Sequence, residues 1–106
     1  MNVDRDHDAG LQSRLDALAD DLVRRGMSEG GDFFISGHRQ VVDVSSEYVG
    51  LIRREGALRV FYSDMGRERI LLETGDFEAA RTAFLEHALH LAHERGRGVD
   101  ERGLLT

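Results

Sequence analysis

An α+β domain is what this 106-residue sequence predicts: an amino-terminal helix, an antiparallel meander of about five strands, and a carboxy-terminal helix packed on the sheet. Three observations point there. Apolar residues recur on a 3.6-residue period near each end of the chain. Between those stretches the period falls to two, in short runs separated by glycine-bearing turns. The sequence also contains no proline, so every strand residue keeps the N–H that a sheet ladder needs. The whole is expected to be one domain over 1–106, with 1–10 and 97–106 as flexible tails.

Met1 to Gly10 is polar and lacks a period, so it reads as a frayed leader, with Asp8 available as a helix N-cap. Leu11, Leu15, Leu18, Ala19, Leu22 and Val23 then share one helical stripe, while Arg14, Asp16, Asp20 and Asp21 occupy the rest of the circumference. Arg24 and Arg25 suit the negative end of that helix, and Gly26 can adopt the left-handed conformation that ends it. Ser28 to Asp32 is a loop by composition. Phe33 to Ser36 and Gln40 to Val44 read as short strands broken by Gly37-His38-Arg39. Glu47 to Arg53 is a third strand, with Tyr48, Gly50 and Ile52 on one side and Val49 and Leu51 on the other. A tight turn at Glu55-Gly56 leads to a fourth, where Leu58, Val60 and Tyr62 alternate with Arg59, Phe61 and Ser63. Asp64-Met65-Gly66 turns again, and Arg67 to Glu73 is the fifth, with Ile70 and Leu72 opposing Arg69, Leu71 and Glu73. Asp76 is placed to cap a second helix and Glu78 lies in its first turn. Its buried stripe is Phe77, Ala80, Phe84, Ala88 and Leu91, flanked by Leu85 and Ala92, and it ends near Arg95-Gly96. Laying both helices on one face of the sheet buries both stripes.

Composition excludes several chemistries. Without cysteine there is no disulfide framework, thiolate zinc site or cysteine nucleophile. No apolar run approaches ~18 residues, so no membrane-spanning helix is expected. The polar, acidic first residues oppose the basic-then-apolar order of a signal peptide, which points to the cytoplasm. A net charge of −6 argues against a sequence-independent grip on nucleic acid. The glycines form neither a dinucleotide fingerprint nor a phosphate loop, and the latter needs a lysine that the chain lacks. Ser36, Ser45, Ser46 and Ser63 are outside any nucleophile elbow. His87, His90 and His93 sit near Glu86 and Glu94, but each third residue moves ~60° around a helix, so the three sweep away from a common metal. They read as a solvated face able to take nickel or zinc adventitiously. No cofactor is expected.

Arg59, Arg67 and Arg69 can meet across adjacent strands, a local basic patch in an acidic protein. Arginine, tyrosine and methionine favour interfaces, which makes Tyr48, Tyr62, Met65, Arg67 and Arg69 candidates for partner contact. The alternative is a solvated sheet face with buried tyrosines.

The run Val60-Phe61-Tyr62-Ser63-Asp64-Met65-Gly66-Arg67, then Leu71-Leu72-Glu73 and the helix opening Asp76-Phe77-Glu78-Ala79-Ala80, resembles small actinobacterial immunity proteins of polymorphic toxin systems. It is most similar to relatives of the immunity factor for tuberculosis necrotizing toxin. Those share a strand ending in Tyr-Ser-Glu-Arg-Gly-x-Arg. Tyr62-Ser63 and Gly66 match it here, with Arg67 at the free position, while Asp64-Met65 replaces Glu-Arg and Glu68 stands at the final Arg. The likeness spans Tyr48 to Leu91. It implies a non-enzymatic cytoplasmic protein that binds a cognate toxin, with the loops Glu55-Gly56 and Asp64-Met65-Gly66 and the acidic helix against that partner, beside the contact candidates Tyr48, Arg67 and Arg69. An acidic inhibitor is also steered toward cationic clefts. Two other readings stand beside it. One is an acidic secretion or assembly chaperone that dimerises around an export substrate. The other is a metal-dependent enzyme using the carboxy-terminal histidines. A homodimer is compatible with either binding reading. All 14 basic residues are arginine, as a high-GC genome would produce.

Overall fold

The computed structural model describes residues 3–38 and 44–96. Its order is α1 (Val3–Arg24), β1 (Phe33–Ile35), β2 (Glu47–Arg54), β3 (Ala57–Asp64), β4 (Arg67–Thr74) and α2 (Phe77–Glu94). The four strands lie in the order β1-β2-β3-β4. Both helices pack on one face, where Leu15, Leu18 and Leu22 of α1 join Phe33, Val49, Leu51, Val60 and the α2 stripe in a single core. Ala80, Ala88 and Ala92 are all fully buried, and their small side chains bring α2 close to the sheet. Phe84 can then reach Phe33 edge-on, with ring centroids 6.2 Å apart.

Both helix ends follow the capping chemistry expected of them. Gly26 has φ 94°, and paired bonds run from Met27 N–H to Leu22 O and from Gly26 N–H to Val23 O. This is a Schellman stop, closed by burial of Met27 and Leu22 together. At α2 the Asp76 carboxylate accepts from Glu78 N–H.

Four expectations need correction. First, α1 begins at Val3, so Asp8 lies inside the helix rather than capping it. Periodicity reports burial, whereas extending a nucleated helix adds one hydrogen bond per residue with or without an apolar face. Second, Val23 is 44% exposed and leaves the buried stripe at its carboxy-terminal end. Third, the sheet is mixed. Strand β1 runs parallel to β2 with Phe33 beside Val49, and only β2, β3 and β4 form the antiparallel meander. A long connection, not a hairpin, joins β1 to β2, and that is the condition for parallel neighbours. The described residues hold four strands; of the proposed strand Gln40 to Val44, residues 40–43 lie outside them, and Val44 is not in a strand.

Fourth, β4 does not alternate throughout. Val60 pairs with Leu72 and Phe61 with Ile70, which leaves Leu71 as the extra residue of a bulge. Ile70 therefore shares the outer face with Phe61, while Leu71 and Leu72 both pack against the core.

Candidate functional site

The β2–β3–β4 meander presents one face to the helices and leaves the other without a covering element among the described residues. The register puts Phe34, Tyr48, Gly50, Ile52, Phe61 and Ile70 on that outer face. Phe61 is nevertheless only 3% exposed. Its ring lies over Gly50, where an added Cβ would come within 2.3 Å of it, and Tyr48 meets it edge-on at 5.9 Å. Ile70, at 51% exposure, ends this apolar row toward the open edge of the sheet. Arg59 and Glu73 pair at 2.6 Å on the same face.

The β3–β4 hairpin closes through Met65-Gly66, whose φ values of 53° and 82° are both positive. That is the type I′ geometry, whose twist suits a two-residue hairpin. Glycine adopts it freely, whereas Met65 carries a left-handed backbone at a cost of roughly 1–2 kcal/mol. The Met65 N–H donates to Ser46 O at 2.6 Å, which anchors the turn beside the entry to β2. The Met65 side chain is 76% exposed. A stiff turn thus holds a large apolar side chain out in water.

Five of the six sequence-predicted contact residues gather at this end of the sheet. Glu47 pairs with Asp64, so Tyr48, Asp64, Met65, Arg67 and Arg69 are neighbours. Tyr48 faces outward, while Arg69 shares the opposite face with Tyr62 and sits 5.9 Å over its ring. Glu55 lies in the β2–β3 turn at the far end, about 23 Å away along eight-residue strands.

A polar fastening at the same end has no local signature in the sequence. Asp32 is completely buried at the start of β1. Its Oδ1 accepts from Arg95 Nη1 at 2.8 Å and its Oδ2 from Ser28 N–H at 2.8 Å. Arg95 also donates to Gly31 O and Glu47 O, each at 2.7 Å, and so ties the end of α2 to the starts of β1 and β2. Tyr62 donates its phenol to Glu47, and this bond, with burial second, pushes the phenol pKa up to about 12. Each of these groups finds its partner inside the protein, which is the pattern of a structural clamp.

A third polar group links α1 to the segment after β1. His38 places Nδ1 2.8 Å from Glu29 Oε1 and Nε2 3.0 Å from Asp20 Oδ1. Burial alone draws the imidazole pKa down, but hydrogen bonds to Glu29 and then Asp20 outweigh it and hold the ring above its ordinary value.

On α2, His90 is exposed beside Glu94 at 3.1 Å, His93 is exposed and His87 is half-buried. No group of three metal-ligating side chains converges among the described residues. A cleft of about 580 Å³ lies between α1, the β2–β3 turn and the first turn of α2. Leu11, Leu58 and Phe77 line it, and Arg14, which stacks 5.6 Å over Phe77, shares its rim with Glu55 and Asp76. Among the described residues no helix is long and apolar enough to cross a membrane. Compared with protein-family models, curated proteins and solved structures, the chain finds no match in any of the three.

Proposed function

We propose that this chain is an immunity protein: a non-catalytic cytoplasmic inhibitor that binds a cognate toxin domain in the producing cell. The observation that carries the reading is the pair Met65 and Ile70, large apolar side chains presented to solvent on a rigid hairpin beside an uncovered apolar sheet face. Exposed apolar side chains on a stiff frame lose little entropy when a partner covers them, which favours tight protein binding. Tyr48 stands on the same face as Ile70, and Arg67 and Arg69 lie on the opposite face of the same edge strand; all three are residue types that dominate binding energy at interfaces. The net charge of −6 favours a partner with a cationic cleft, the common equipment of toxins that attack nucleotides or nucleic acids. On this reading Asp64 contacts the toxin together with that group, and Glu55 contacts it only if the partner spans the outer face from end to end.

Co-expression with the product of the neighbouring open reading frame tests the proposal. The wild-type chain is expected to restore growth, and the double variant Met65→Asp, Ile70→Lys to fail while keeping its circular-dichroism spectrum and melting temperature. Continued growth arrest with the wild-type chain, or full rescue by the double variant, counts against it.

A further inference from the structure

Between two ionised carboxylates, only an imidazolium can satisfy the surroundings of His38. Both ring nitrogens face carboxylate oxygens, Nδ1 toward Glu29 and Nε2 toward Asp20. A neutral ring carries one N–H, so one nitrogen would turn a lone pair toward an acceptor. Glu29 raises the stakes. Its side chain is fully buried, and its Oε2 finds no hydrogen-bond partner among the described residues. The carboxylate therefore depends on the charge of His38, and an uncompensated buried charge is costly.

Other ionisable neighbours are committed elsewhere. Asp16, one turn from Asp20 on α1, is held by Gln12 at 3.0 Å, and Asp21 by Arg25 at 3.2 Å. Strand β1 contributes only Phe33, Phe34 and Ile35, none of them titratable. Asp20 from α1 and Glu29 from the turn before β1 are thus the charged groups in contact with the ring among the described residues.

We infer that His38 is a pH-sensitive latch: protonated, it fastens the chain just after β1, Ser36 to His38, to α1 and to the turn before β1, and on losing its proton it lets that stretch go. The release is local. Ser36 N–H stays bonded to Leu51 O at 3.0 Å, so β1 keeps its place beside β2. Folding holds the His38 pKa above its ordinary value of 6.5. The latch therefore contributes in full below about pH 6.5 and is lost as pH rises through the folded-state value.

NMR of the full chain between pH 5 and 9.5 tests this, following the histidine rings and the amides of Gly37 and His38, the latter bonded to Ile35 O, with exchange rates corrected for intrinsic base catalysis. Expected are a His38 titration above 6.5 and a loss of amide protection over the same pH interval. Asp20→Asn changes a carboxylate that is 58% exposed and leaves the fold in place. It should lower the His38 titration midpoint and move the loss of protection to lower pH. His38→Gln should abolish the pH dependence of protection. The latch is overturned by a His38 titration at or below 6.5, by protection that does not change through that titration, or by an Asp20→Asn midpoint equal to wild type.

Discussion

Replacing Arg95 by alanine is expected to destabilise the fold by about 3 kcal/mol, whereas Arg59→Ala should cost less than about 1 kcal/mol. The two arginines are closely matched. Their side chains are 24% and 23% exposed, and they reach a carboxylate oxygen at 2.8 and 2.6 Å. They differ in the partner, since the Asp32 side chain is 0% exposed and the Glu73 side chain 46%. Without Arg95, Asp32 Oδ1 loses its arginine donor while Oδ2 keeps the Ser28 N–H, and the Gly31 and Glu47 carbonyls lose a donor. Removing one partner of a buried ion pair typically costs ~3–5 kcal/mol. Partial exposure of Arg95 gives water a path to the vacated site, which favours the lower end. Glu73 is rehydrated when Arg59 is lost, so that pair falls in the surface range of ~0.2–1 kcal/mol. Urea denaturation followed by circular dichroism measures both. With m of ~1–3 kcal/mol/M, Arg95→Ala should lower the midpoint by about 1–3 M at unchanged m. Adding Asp32→Asn to Arg95→Ala should recover part of the loss, because the stranded charge is then gone. Equal costs for Arg95→Ala and Arg59→Ala would refute the argument from partner burial.

Three further outcomes are expected. Gly50→Ala should destabilise by roughly 1–3 kcal/mol, since the Phe61 ring occupies the space of the new methyl group, and adding Phe61→Leu should lessen that cost in the same urea assay. Phe84→Ala should cost about 3–5 kcal/mol by leaving a cavity against Phe33, visible as a large fall in melting temperature. Tyr62 should ionise near pH 12 by ultraviolet difference titration. Because its folded pKa lies above its ordinary value of 10, its contribution is complete below pH 10 and lost as pH climbs toward 12, a loss that Glu47→Gln should diminish.

Where one local pattern determined the outcome, the sequence disclosed it. The α2 stripe, the Asp76 cap, the Gly26 stop and the two turns at Glu55-Gly56 and Met65-Gly66 each depend on residues within a few positions of one another. The misses have a common physical origin in distance along the chain. Strand β1 is three residues long and takes its direction from β2, beginning 14 residues after Phe33. Arg95 and Asp32 are 63 residues apart, and no spacing rule joins a loop aspartate to a helix-end arginine. The bulge at Leu71 leaves no mark in a run that alternates acceptably without it. For the candidate contact surface, composition could nominate Tyr48, Met65, Arg67 and Arg69, but their convergence, and the separation of Glu55 from them, follow from the hairpin register. In the sequence His38 reads as part of a break between strands; two carboxylates from other elements give it its environment.

The bulge at Leu71 also bears on how the chain behaves when crowded with copies of itself. An eight-residue strand at a sheet edge invites a second copy to pair with it antiparallel. Without the extra residue, Glu68 and Glu73 would fall on opposite faces of β4. With it, both join Ile70 on the outer face, as their partners Ser63, Arg59 and Phe61 show. A twofold pairing centred on Ile70 would then set Glu68 of each copy against Glu73 of the other, repelling twice in a single ladder. One inserted residue thus makes β4 a poor template for itself while leaving it open to a strand that brings basic side chains to those two positions.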